Sequence, residues 1–149
     1  MKKEYVLVAC AMIAYIADED GAGIVQKILS AAGRGRCRVF MHAINLLEVY
    51  YGVVGKYGES AAGEMLESIK LEPITVCHET SEDMIIDAGR FKSRYKISIA
   101  DSIGLAQAVK LKASFVTSDH HELDAVDVAE NIDFTWIRPV PPSKKRKVN

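Results

Sequence analysis

The stretch ISIADSIGLAQAVKLKASFVTSD, residues 97–119, decides how the chain folds. Its spacing predicts a helix over Ile99–Leu111, followed after two residues by a short β-rich run, Ser114–Thr117. A helix feeding a strand so directly is half of a βαβ unit. An acid stands at each end: Asp101 in the first helical turn and Asp119 just past the strand. In such a unit the first turn of the helix lies near the carboxyl ends of the strands, so the two carboxylates belong to one edge.

The same alternation extends in both directions. Further strands are predicted at Tyr5–Val8, Arg38–Met41, Ile74–Val76 and Phe134–Ile137. Helices are predicted at Ala11–Ala17, Ile24–Ala32, Ala43–Tyr57, Ser60–Lys70 and Glu82–Tyr95, with a short one after Asp119. Strands interleaved with helices imply an α/β fold with a mostly parallel central sheet, flanked by helices on both faces. Ligands of such sheets bind beyond the carboxyl ends of the strands.

Composition narrows the function classes. The 149 residues suit one domain, expected over residues 1–140 with a basic, disordered tail over 141–149. Apolar residues are 49% and charged residues 26%, the balance of a soluble globular protein. No apolar run reaches the length of a membrane span, and MKKEYVLVAC lacks the core of a secretory signal, so a cytoplasmic protein without membrane attachment is expected. Cys10, Cys37 and Cys77 show no C-x-x-C spacing and read as reduced packing residues. Adjacent His120 and His121 offer no zinc spacing, and the glycine-rich phosphate loops are absent. At a net charge of −1, any nucleic-acid contact must come from local patches.

Glu48 is the third acid of interest. In HAINLLEVYYG, residues 42–52, it shares a helix face with Ile44 and Tyr51, where a buried carboxylate requires a cation or metal and a half-exposed one does not. Each acid alone has an ordinary structural reading. Ser98 to Asp101 fits a capping box, and Asp119 fits the cap of the next helix.

Together, NLLEVYYG, IADSIGLAQA and FVTSD, in this order and at these separations, resemble the PIN-domain nucleases, and most closely the VapC-type toxins of toxin-antitoxin pairs. The resemblance runs from about Tyr5 to Ile137. It implies four acids holding Mg²⁺ or Mn²⁺ for phosphodiester hydrolysis in RNA, three of which fall on Glu48, Asp101 and Asp119. The fourth ends the first strand in a pattern such as V-L-D-A-C-A-x-I-A-Y. Here the sequence is VLVACAMIAY, which puts Val8 in the place of that Asp.

Two readings of the whole chain follow. One is a metal-dependent endoribonuclease carried as an inactive or weakened active-site variant, natural or introduced. The other is a non-catalytic PIN-fold protein that binds RNA or an antitoxin. The resemblance also implies an antitoxin partner and a homodimer. Asn45, Thr117 and Ser118 are accessory candidates, and Cys10 stands where relatives often carry Ser, Thr or Cys. Glu122 and Asp124 either extend the acidic pocket or form a solvated face. Arg90, Lys92, Arg94 and Lys96 in GRFKSRYKIS are candidates for RNA contact, as are Arg34, Arg36 and Arg38.

Overall fold

The computed structural model describes residues 2–142, so the basic run SKKRKV lies outside the described residues. The elements follow in the order β1 (Lys3–Leu7), α1 (Ala9–Ile16), α2 (Ala22–Gly33), β2 (Cys37–His42), α3 (Ala43–Tyr57) and α4 (Glu59–Lys70). Then come β3 (Thr75–Cys77), α5 (Glu82–Arg94), α6 (Ile99–Leu111), β4 (Ser114–Thr117), α7 (His120–Ala129) and β5 (Phe134–Trp136). The strands form one sheet in the order β3-β2-β1-β4-β5, and every pairing is parallel.

This order fixes where a ligand fits. From β1 the chain winds outward through β2 to β3, then returns to the other side of β1 for β4 and β5. The winding reverses between β1 and β4, and the crevice beyond the carboxyl ends of those two strands is the switch point of the sheet. Val8 follows one strand and Asp119 follows the other.

Strand alternation sends successive side chains to opposite faces. Tyr5 and Leu7 of β1, Val39 and Met41 of β2, and Val116 of β4 pack with α1, α2, α3 and α4. Val6, Val8 and Phe115 point the other way, into a second core with Phe91 of α5, Leu105 and Ala108 of α6, and Leu123 and Val126 of α7. Helices thus cover both faces. Among the described residues no helix is long and apolar enough to cross a membrane.

The strand expected at Tyr5–Val8 ends one residue early. The Val8 carbonyl accepts from the amides of Ala11 and Met12, so α1 starts at Ala9 rather than Ala11, and Val8 is its N-cap in an extended conformation. Valine is a poor cap because its side chain has no acceptor for the free amides of the first turn. Its side chain is fully buried instead.

What lets it fit is Gly104, in the middle of α6. A Cβ on that residue would stand 2.7 Å from Val8 Cγ1 and 3.1 Å from Phe115 Cε1. Glycine inside a helix costs about 1 kcal/mol relative to alanine, so helix propensity alone favours Gly104→Ala. Overpacking against the sheet acts the other way and costs roughly 1–3 kcal/mol. Packing should win: Gly104→Ala is expected to lower stability by about 1 kcal/mol or more in urea unfolding, and a gain in stability would show that α6 does not press on β1.

Candidate active site at the β1/β4 switch point

Three helix N-termini meet at the crevice, and each is set by a short-range contact. The hydroxyl of Ser98 accepts from the Asp101 amide at 3.0 Å and starts α6, as the capping box predicts. Asp119 Oδ1 accepts from the amides of His121 (3.0 Å) and Glu122 (3.3 Å) and starts α7. The third, α1, has no side-chain cap of its own. Asn45 Oδ1 on α3 accepts from the Ala9 amide at 3.1 Å, while Asn45 Nδ2 donates to the Ala100 carbonyl at 3.0 Å.

Asn45 therefore clasps the start of α1 to the start of α6. It is fully buried, and its role is positional. Thr117 and Cys10 hold the remaining side. The Asp119 amide donates to Thr117 Oγ1 at 3.2 Å, Cys10 Sγ lies 3.4 Å from that hydroxyl, and the Ser118 amide donates to Cys10 Sγ at 3.5 Å. These contacts fix the turn that carries Asp119. The side chain of Ser118 takes no part in them.

The acids do not contribute equally. Oxygen atoms of Asp101, Asp119 and Glu122 all lie within 4.8 Å of one another. Burial, then the charges of Asp119 and Glu48, push the Asp101 carboxyl up to about 7, with Glu122 adding to the effect and the hydrogen bond to Ser98 opposing it. Burial also raises the carboxyl of Glu48, which lies outside the tight group of three but close enough for its charge to act on Asp101. Among the described residues, no Lys or Arg forms an ion pair with any of these four acids. The donors are hard oxygen atoms carrying uncompensated negative charge, a set that fits Mg²⁺ or Mn²⁺.

A PIN domain family model matches residues 5–129. The chain belongs to the PIN-domain family. No curated protein matches it significantly by sequence. Its fold is similar to that of DNA-bound VapBC from Salmonella typhimurium, with a TM-score of 0.68, 14% identity, and 93% of this chain and 100% of that chain covered. Similar too is VapBC2 from Rickettsia felis bound to a promoter DNA fragment (TM-score 0.66, 17% identity, 89% and 97% covered). A third is Mycobacterium tuberculosis VapC20, described as a sarcin-ricin loop cleaving toxin (TM-score 0.64, 15% identity, 84% and 95% covered).

Within this PIN domain, sequence reasoning understated two residues. By sequence Glu122 fits either an acidic pocket or a solvated face, and the first turn of α7 brings it into the tightest acidic group. Its position, three residues after the cap, was the available signal. His42 had no signal at all. Its Nδ1 accepts from the Ile44 amide at 3.1 Å and caps α3, the helix carrying Asn45 and Glu48, and Nε2 then donates toward the Glu79 carbonyl and Thr80.

The basic segment is partly engaged elsewhere. Arg90 pairs with Glu130 at 2.9 Å, Arg94 approaches the same carboxylate at 3.6 Å, and Tyr95 donates to it at 2.6 Å. Lys92 and Lys96 remain exposed. Arg38 pairs with Glu4 at 3.5 Å at the opposite, amino end of the sheet.

The raised Asp101 carboxyl makes stability depend on pH. Its folded value of about 7 lies above the ordinary 3.8, so the folded state holds the proton more tightly. Without metal, stability therefore falls as pH rises between those values, by a total on the order of 4 kcal/mol at 1.36 kcal/mol per unit. Asp101→Asn removes that loss. In EDTA the variant should be more stable than the parent near pH 8, with a smaller advantage near pH 5. Denaturant unfolding at both pH values checks this, and an advantage that does not grow with pH contradicts the arrangement.

Proposed function

We propose that this PIN domain is a metal-dependent endoribonuclease of the VapC toxin type, present as a variant weakened by Val8, acting in the cytoplasm and held in check by an antitoxin protein. The observation that carries the reading is the convergence of Asp101, Asp119 and Glu122, with Glu48 in their field, at the switch point of the sheet. The likeness to VapBC complexes, and to a toxin described as cleaving the sarcin-ricin loop, supports the antitoxin and RNA parts of the reading.

Asp101, Asp119 and Glu122 would hold the ion, and Glu48 would add charge from α3. When bound, Mg²⁺ or Mn²⁺ supplies Lewis-acid polarisation of the phosphodiester and activation of water at neutral pH. The chain itself orients the reactants. The N-termini of α1, α6 and α7 present their positive dipole ends to an incoming phosphate, which offsets repulsion from the acids. Ser98 and the backbone amides after Asp119 hold two carboxylates in fixed rotamers, so little reorganisation accompanies binding. Lys96, two residues before the Ser98 cap, is the basic side chain assigned to a phosphate of the RNA.

Val8 supports the non-catalytic reading as well, because its burial seals with hydrocarbon the strand end where the family's fourth acid belongs. Activity separates the two readings. Val8→Asp is expected to raise Mn²⁺- or Mg²⁺-dependent cleavage of RNA by roughly a thousandfold, a gain of about 4 kcal/mol in transition-state stabilisation. Cleavage that is equal in both proteins and indifferent to EDTA would refute the proposal.

Melting curves give an independent check. In EDTA, Val8→Asp replaces a fully buried apolar side chain with a charge beside Asp101, and it should melt at a lower temperature than the parent. Addition of Mn²⁺ should narrow or reverse the gap, because an ion that binds only the folded state favours the fuller ligand set. If Val8→Asp is the more stable protein in EDTA and Mn²⁺ shifts neither, residue 8 is no part of an acidic metal site.

A further inference from the structure

A cavity apart from the acids opens beside the edge strand β3. It measures about 370 Å³ and lies between the end of β3, the start of α5 and the last turns of α6, within the range of roughly 300–1,000 Å³ typical of small-ligand sites. Met84 of α5 and Leu111 of α6 give it hydrocarbon walls. Lys110 stands in the same lining and is exposed.

Gln107 also lines the cavity, and only 3% of it is exposed. Its Oε1 is, among the described residues, the only buried side-chain nitrogen or oxygen without a hydrogen-bond partner. A buried acceptor left unpaired costs free energy that an apolar residue of similar size would not. The nitrogen end of the amide serves Cys77, where burial pushes the thiol up against a hydrogen bond from Gln107 and the charge of Lys110. An amide nitrogen carries two hydrogens, so one remains for another acceptor.

The cavity thus offers an acceptor and a donor side by side on one amide, between apolar walls, with a cation near by. Adenine has the complementary edge. Its N6 amine donates and its N7 accepts, which is the pair that a glutamine amide reads with two hydrogen bonds. Its flat faces suit hydrocarbon, and the attached phosphate suits Lys110. We propose that this cavity is a subsite for an adenine base of the RNA, with Gln107 reading the N6/N7 edge and Lys110 holding a phosphate.

Helix α6 links the subsite to the acids. Gln107 follows Asp101 on that helix, about 9 Å along its axis at roughly 1.5 Å per residue, so the base belongs to a nucleotide near the one at the acidic cluster. The inference rests on the RNA part of the proposed function, but its test requires no cleavage.

Adenosine 5′-monophosphate is titrated into the full chain in EDTA, and heteronuclear NMR follows the side-chain amide of Gln107 and the backbone amides of Cys77 and Lys110. These signals should shift saturably, with an affinity at least tenfold above that for uridine 5′-monophosphate. Gln107→Leu, which removes the unpaired acceptor and keeps the hydrocarbon, should weaken binding at least tenfold, with circular dichroism confirming that it is folded. Lys110→Ala, at an exposed position, should weaken binding of the monophosphate severalfold and leave that of adenosine unchanged. Signals around Gln107 that do not move at millimolar adenosine 5′-monophosphate would overturn the proposal, as would equal affinity for the uridine nucleotide, whatever Val8→Asp does to cleavage.

Discussion

The two hydrogen bonds of Asn45 are the constraint on which the site's geometry rests. Neither α1 nor α6 is held at its start by sheet pairing, and the acids depend on where those helices begin. One buried amide fixes both, accepting from Ala9 and donating to Ala100. The arrangement leaves no slack, because a donor and an acceptor are required at once and the side-chain amide of Asn45 supplies both. Loss of either bond would leave a backbone group unsatisfied in the interior, at about 1–3 kcal/mol. His42 supports the clasp from below by capping the helix on which Asn45 rides. Asn45 is thereby a residue that aligns the starts of α1 and α6 around the acids.

Most of the fold was legible because local and global signals agree in this chain. Helices α3 and α6 and strand β4 begin and end where periodicity and capping residues place them. The strand-helix junction at Val8 was less legible. An apolar run carries no mark of where extension stops, and the residue that normally marks it, an acceptor at the cap, is missing. The site was legible only in part for a similar reason. Asp101 and Asp119 announce themselves through their caps, whereas Glu122 enters the cluster because the chain turns between β4 and α7, where the Asp119 amide donates to Thr117 Oγ1. Nothing in the sequence near Gly104 marks its need for a bare α-carbon, since that need comes from Val8, nearly a hundred residues earlier.

Val8 shows stability and chemistry pulling apart at one position. Its hydrocarbon completes a core with Val6, Leu105 and Phe115 that no carboxylate could join without desolvation. The remaining acids already crowd one another enough to hold Asp101 near neutrality. A carboxylate at position 8 would deepen that repulsion.

The strand order carries a consequence for how the protein comes into being. Strand β1 pairs with β2 within the first third of the chain, but its other neighbour is β4, with Tyr5 opposite Ser114, more than a hundred positions away. Closing so long a loop is slow, and during synthesis β1, β2 and their helices can collapse well before β4 emerges. Until then Asp119 and Glu122 have no place to stand. The acidic cluster is therefore among the last features to form, and whatever chemistry it supports has to wait until the final third of the chain has been delivered.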